Sequence, residues 1–350
     1  MQLNYKYLLS LSLQNTVMGK IFKTNKFLIV KSTYQENQRE RSTNLIENSE
    51  LFEGVLGGRK FFGKERKFVL SDEEKNIFKP LRSDVIDYFK NNRISWWGGK
   101  KPTGHVLSSQ IACINHLFFI RNDKQAVLQM VRTISDDFVD VIEISTDKYN
   151  PAYIQFEAVS DIDHLNEGKP SRGNNCTSID ALVYAQHKDG TLWIIPIEWK
   201  YTEYYNNQNR AVEGYKKDPV KCKGVVRKKR YTNLINNSDQ LENSDHQCYY
   251  YEPFYQLMRQ TLWAEQLVKN SVIETIKAEN YLHVHVIPSD NKDLLYKIYK
   301  CSQTDMKTTW EKQLKDKSKY IIISPEKLLT KSLSNIKYNE LKNYLTKRYW

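Results

Sequence analysis

Two apolar, β-branched runs, residues 177–185 and 191–201, are separated by Gln186-His187-Lys188-Asp189-Gly190. The Asp-Gly pair is a turn signal, so the segment reads as a β-hairpin. Asp180 lies near the start of the first run, and Glu198-Trp199-Lys200 stands at the end of the second, eighteen residues on. Folding brings both carboxylates and the lysine to the end away from the turn. Side chains alternate faces along a strand, and directly opposed residues of an antiparallel pair share a face. Glu198 and Lys200 therefore share a face, and Asp180 joins them only if it lies opposite Glu198. A two-residue Asp189-Gly190 turn would set Asp180 against Trp199, on the wrong side. A three-residue Lys188-Asp189-Gly190 loop, with Gly190 left-handed, sets it against Glu198. The alternative is an ordinary hairpin with charges at its frayed end. Charges in apolar strands are costly unless paired or metal-bound.

Paired carboxylates with a lysine suit cleavage of a phosphodiester, which builds negative charge toward its transition state. Magnesium is a hard cation held by one or two carboxylates together with waters and phosphate oxygens. Asp180 and Glu198 are the candidate ligands, with the Trp199 carbonyl as a third oxygen; manganese is the alternative ion. Lys200 would orient or deprotonate the attacking water, or stabilise the charged phosphate, and the base role requires a lowered pKa. Glu157 lies inside the apolar segment Tyr153-Ile154-Gln155-Phe156-Glu157-Ala158-Val159 and needs a partner there. An exposed edge strand would also accommodate it. Glu203 falls off the alternating face and reads as surface. Gln256, Arg259 and Gln260 form one helical stripe able to reach substrate phosphate or a metal-bound water, or to stay an exposed polar face.

The chain has 350 residues, enough for a full core in one or two domains, and its net charge is +12. That balance favours a polyanionic partner. The densest basic run is Lys216, Lys217, Lys221, Lys223, Arg227, Lys228, Lys229 and Arg230, placed as a loop directly after the hairpin. Lys228, Lys229 and Arg230 are candidate phosphate contacts; a solvated loop is the bland reading. No apolar run approaches the roughly twenty residues that span a bilayer. Residues 7–13 are too short and serine-containing for a convincing signal-peptide core. Five scattered cysteines without a Cys-x-x-Cys pair argue against a disulfide framework and fit a reducing cytoplasm. Cys222, His246 and Cys248 make only a loose zinc set. His283 and His285 share a strand face and read as structural.

Residues 1–48 are polar and irregular apart from a short strand expected at 27–30. Helical spacing covers 81–90, 105–120, 123–135, 253–269 and 335–344, and strands are expected at 153–159, 281–287 and 320–324. The core order is helix, strand, strand, strand, helix, strand: an α/β fold whose mixed sheet is flanked by helices, with N-terminal and C-terminal helical additions. The organisation expected is a variable segment 1–50 and a single domain 51–350, with its core at about 105–290.

Asp180, then Glu198-x-Lys200, with Glu157 upstream and a glutamine-bearing helix downstream, resembles the PD-(D/E)XK nuclease superfamily. Ile179 stands where that family usually has proline. Ser108-Ser109-Gln110-x-Ala112-Cys113-x-Asn115-x-Leu117-Phe118 resembles a bacterial restriction-endonuclease-like branch. So do Asn92-x-Ile94-x-Trp96-Trp97, Phe156-Glu157, Glu198-Trp199-Lys200-Tyr201-x-Glu203 and Arg348-Tyr349-Trp350. The likeness runs from about Gly54 to the C-terminus. It implies a magnesium-dependent endonuclease of restriction or genome defence, with DNA as partner and RNA left open. A homodimer would serve to cut both strands. A repair or junction nuclease of the same fold, or a non-catalytic nucleic-acid-binding protein, are the alternatives. Ser109, Gln110 and Asn115 are expected to brace the active-site strand rather than touch DNA.

Overall fold

The hairpin is the centre of the molecule. In a computed structural model, residues 32–147, 150–173, 176–243 and 248–350 are described, and Thr33–Trp350 form one compact unit. Its chief element is a seven-stranded mixed sheet. The strands are β1 (Phe138–Ile142), β2 (Ile154–Ala158), β3 (Ile179–His187), β4 (Leu192–Trp199), β5 (Asn280–Tyr281), β6 (His283–Val286) and β7 (Tyr320–Ile323). β3 and β4 are antiparallel partners. β1 and β2 share the outer edge of β3, both antiparallel to it. β5 and β6 share the outer edge of β4, both parallel to it, and β7 extends the sheet parallel to β6.

The hairpin register pairs Ala181 with Ile197 and Gln186 with Leu192. Carried one residue further, it sets Asp180 opposite Glu198. The loop is Lys188-Asp189-Gly190, closed by His187 N donating to Thr191 O at 2.9 Å and Gly190 N donating to His187 O at 2.9 Å. Gly190 has φ +90°, the left-handed conformation the three-residue loop demands. On the other edge of β4, the ladder breaks between Ile194 and Ile197, where Pro196 has no N–H to donate.

Period-two alternation divides the apolar side chains between two layers. Ala181, Val183, Ile195, Ile197 and Trp199 join one core with α3 (Ser109–Leu117) and α4 (Lys124–Ile134). Leu182, Tyr184 and Ile194 join the other, against α6 (Phe254–Lys269). The remaining principal helices are α1 (Thr33–Asn48), α2 (Arg82–Asn91), α5 (Lys223–Asn236) and α7 (Asn339–Arg348). Ser108 caps α3 by accepting from Ile111 N, and Asp123 caps α4 by accepting from Gln125 N and Ala126 N.

The C-terminal residues lock the α3 layer. The buried Asn115 accepts from Phe78 N at 2.9 Å and donates to Asn76 O and the hydroxyls of Tyr344 and Tyr349. Arg348, also buried, donates to the Asn76 carbonyl at 2.6 Å. Trp350 Nε1 donates to His116 Nε2 at 3.2 Å. Burial of His116 pushes its imidazole down to about 3, so the neutral ring can accept that bond.

Several elements differ from the sequence reading. Residues 33–48 form α1, although their polar composition gave no apolar stripe; the strand expected at 27–30 lies outside the described residues. The edge strand β1 went unread because only Phe138 and Val141 of it are buried. The sheet extends beyond 290, to β7. The basic run read as a loop is in large part the helix α5. Cys248 and Cys301 form a disulfide with Cα atoms 5.4 Å apart, a pairing their sequence scatter did not suggest. It takes Cys248 out of the loose zinc set, whose His246 lies outside the described residues. No described helix is long and apolar enough to cross a membrane.

Gly190→Ala is expected to destabilise the chain by about 1–2 kcal/mol, the cost of a left-handed non-glycine residue, because open space surrounds the new Cβ and only the backbone is strained. A urea titration should show a lower midpoint at unchanged slope; an unshifted midpoint would contradict the register argument.

Candidate active site

β4 aims Glu198 and Lys200 at α6, and α6 answers with Gln256 and Gln260, one turn apart. Glu198 is 1% exposed and Lys200 4%. Lys200 Nζ donates to Glu198 Oε1 and, at 2.6 Å, to Gln256 Oε1. Gln260 Nε2 donates to Glu198 Oε2, and its carbonyl oxygen lies 3.1 Å from His283 Nε2. A buried ion pair persists only when its remaining hydrogen-bonding capacity is met, and these two glutamines meet it. Burial, the largest single effect, would lower the Lys200 ammonium, but the Glu198 carboxylate together with Tyr205, Glu203 and Asp180 outweighs it and holds the group well above its ordinary value. The base role considered for Lys200 required the opposite shift. This arrangement favours the protonated Lys200.

Asp180 is half-buried at the mouth of a cavity of about 320 Å³, whose lining also includes Glu157, Thr177, Ser178, Gln256, Arg259 and Gln260. Its Oδ2 accepts from the Trp199 amide at 2.8 Å, which ties the two strands together at their open end. Among the described residues, Oδ1 accepts no hydrogen bond. Burial, then the like charges of Glu198 and Glu157, push the Asp180 carboxyl well above its usual range.

Glu157 enters from β2. Register would place it opposite Asp180, but the pairing skips it, running from Phe156–Ala181 to Ala158–Ile179. Its φ is +49°, a strained conformation for a side-chain-bearing residue. Arg172 clamps that distortion. Its Nε donates to Glu157 O at 3.0 Å, and its remaining nitrogens reach Phe156 O, Asn92 and the Tyr88 hydroxyl. The Glu157 carboxylate accepts from Gln110 Nε2 at 2.6 Å and Ser178 Oγ at 2.8 Å. Burial raises its pKa, those two hydrogen bonds oppose the rise, and Glu198 adds to it. Gln110 thus braces the site from α3, while Asn115 belongs to the C-terminal lock.

The negative charge of Glu198 favours the protonated forms of both Asp180 and Glu157, which marks a locus short of positive charge. Their oxygens are the hard donors that magnesium or manganese takes. Among the described residues no three His, Cys, Asp or Glu side chains close into a ready-made metal cage. Asp180 Oδ1, without a hydrogen-bond partner among the described residues, leaves a carboxylate oxygen open to such an ion, and magnesium is commonly held by one or two carboxylates with water and phosphate. The Trp199 side chain turns to the opposite layer, 4.8 Å from the His116 ring, leaving its backbone on the strand between the two charged residues.

The other candidates stand farther out. Arg259 lines the cavity but pairs with Glu167, its Nε 3.0 Å from Oε1. Glu167 also accepts from the Thr177 hydroxyl at 2.9 Å and the Tyr231 hydroxyl at 2.5 Å, joining α5 and α6 to the start of β3. Lys228 and Lys229 are exposed on α5, and Arg230 is half-buried beside the Tyr231 ring. None of the three touches the carboxylates. Glu203, read as surface, is half-buried and accepts from Tyr201 N at 2.6 Å. His283 and His285 are buried structural groups, and His285 Nδ1 lies 2.9 Å from the Tyr320 hydroxyl. Arg172, Ser178 and Glu167 escaped the sequence reading. Ser178, two residues before Asp180 in the same run, was the one with a positional signal.

Residues 35–350 match the family described as Restriction Endonuclease associating with ARP, and the chain belongs to that family. No curated protein and no solved structure matches the chain.

The raised Asp180 carboxyl makes a signed prediction for the metal-free protein. A carboxyl whose folded pKa exceeds its unfolded one binds its proton more tightly in the native state. Its contribution is complete at low pH and is lost as pH rises from the unfolded value, about 4, through the raised folded one. Asp180→Asn should therefore gain stability over the parent toward neutral pH in EDTA, and the gap should close in acid. Melting temperatures measured across pH would contradict this if the two proteins kept a constant difference.

Proposed function

We propose that this member of a restriction-endonuclease family hydrolyses DNA phosphodiesters with magnesium at Asp180 and Glu198. The reading is supported by one observation: the hairpin register sets Asp180 opposite Glu198, Lys200 bonds Glu198, and Asp180 and Glu157 line one polar cavity with Gln256 and Gln260 of α6. Asp180 and Glu198, with the Trp199 carbonyl, would hold the ion, and manganese could replace it. The ion supplies positive charge to the phosphate and lowers the pKa of a bound water.

The chain's own groups do the rest. Lys200, held protonated between Glu198 and Gln256, presents fixed positive charge to the developing phosphorane. Gln256 and Gln260 keep Lys200 and Glu198 from swinging out of line. Glu157, fixed by Gln110, Ser178 and Arg172, places a third carboxylate at the cavity wall to orient a water. Arg259, if released from Glu167 by substrate, and Lys228, Lys229 and Arg230 on α5 would take phosphate oxygens along the strand. The net charge of +12 supports a polyanionic substrate. A cytoplasmic restriction or defence role, with two subunits pairing to cut both strands, completes the proposal.

Plasmid cleavage with magnesium tests it. Asp180→Ala and Lys200→Ala are each expected to slow cutting by about 10²–10³-fold, the scale of losing one preorganised electrostatic group, and EDTA should abolish cutting by the parent. Cutting by both variants at the parental rate would overturn the assignment. Cleavage of RNA in place of DNA would overturn the substrate and leave the site.

A further inference from the structure

A second cavity, of about 310 Å³, lies on the N-terminal side of the site, lined by Lys60, Phe61, Phe62, Lys100, Lys101 and Thr103 among others. Two tight turns build it. The first joins the short antiparallel strands Lys60–Phe61 and Lys64–Glu65 through Phe62-Gly63. The second is the bridge between Trp96 and Gly99, with Trp97-Gly98 at its tip. The turns pack closely: a Cβ on Gly98 would sit 3.2 Å from the Phe61 ring.

Each tip carries an aromatic ring into solvent. Phe62 is 77% exposed and Trp97 44%. Phe61, half-buried, lies behind them, its ring centroid 4.5 Å from Phe62, 5.1 Å from Trp97 and 4.9 Å from His105. Phe62 is costly in two ways. Its φ of +48° falls in the region that turns of this kind give to Asn, Asp or Gly. Its ring also stays in water, so burial offsets none of that strain. Strain kept at an exposed aromatic points to use.

The charge around the rings is positive. Lys60, Lys64 and Lys100 are exposed and make no ion pair among the described residues, while Arg59 and Lys101 share Glu73. Glu65 is the other acid at the turns. Trp97 is also wired to the carboxylate site: its amide donates to Gln110 Oε1 at 2.9 Å, and Gln110 Nε2 donates to Glu157. One glutamine amide separates this platform from Glu157.

We propose that Phe62 and Trp97 form a stacking platform for an unpaired base of the nucleic-acid substrate, with Lys60, Lys64 and Lys100 on the adjoining phosphates. Base–aromatic stacking beside a cationic track is how single strands are held without sequence readout. A paired base already stacks on its neighbours in the duplex, so the exposed rings select a base that is flipped or single-stranded. This rests on the nuclease reading for the scissile bond but not for the binding.

The test measures binding of a fluorescein-labelled oligo(dT) strand, and of a duplex of equal length, by the full chain in EDTA, with Asp180→Asn in the background. The parent should bind the single strand more tightly than the duplex. Phe62→Ala with Trp97→Ala should weaken single-strand binding about 5- to 150-fold, the loss of one stacked base. Phe62→Tyr with Trp97→Phe should restore it, and unchanged circular dichroism should show that all variants are folded. Parental affinity in the double alanine variant would overturn the platform. Parental protein that fails to cleave, yet binds single strands through Phe62 and Trp97, would overturn the nuclease reading and leave the platform standing.

Discussion

The pairing of β3 with β4 decides where the charged groups of the site point. A slip of one residue in an antiparallel pair sends every side chain of a strand to the other face. In the observed register Asp180, Glu198 and Lys200 share the layer of α6, and Trp199 fills the opposite core. The three-residue loop with left-handed Gly190 holds that register from the closed end. The bond from the Trp199 amide to Asp180 holds it from the open end. Everything else around the site adapts to this frame.

The adaptation is mostly a matter of satisfying buried charge. Glu198 and Lys200 form an ion pair that would be costly if either were left unmet. Gln256 and Gln260, spaced one helical turn apart, close the pair from above. Glu157 is supplied from the neighbouring strand at the expense of regular backbone, and Arg172 bonds the carbonyls that this distortion frees. Gln110 then links Glu157 to the backbone of the Trp97 turn, so one hydrogen-bonded chain joins that carboxylate to the turn that carries an exposed ring.

Much of the frame was legible in the chain. The hairpin, its loop length and the common face of Asp180, Glu198 and Lys200 follow from alternation and a single glycine. The glutamine stripe on α6 follows from helical spacing. Three kinds of feature were not legible. α1 is polar on nearly all sides, so periodicity carried no signal. Arg172 and Glu167 act across long sequence separations from irregular segments, where no period exists to place them. The sign of the Lys200 shift depended on opposing effects, burial on one side and the surrounding groups led by Glu198 on the other, and only their actual juxtaposition decides between them.

The central claim is that the open end of this hairpin is a divalent-ion site. Crystals grown with manganese test it most directly. The account predicts an anomalous-difference peak within metal–oxygen bonding distance of Asp180 and of Glu198, and no such peak in Asp180→Asn crystals. Manganese bound only elsewhere on the chain, or bound equally in Asp180→Asn, would contradict it.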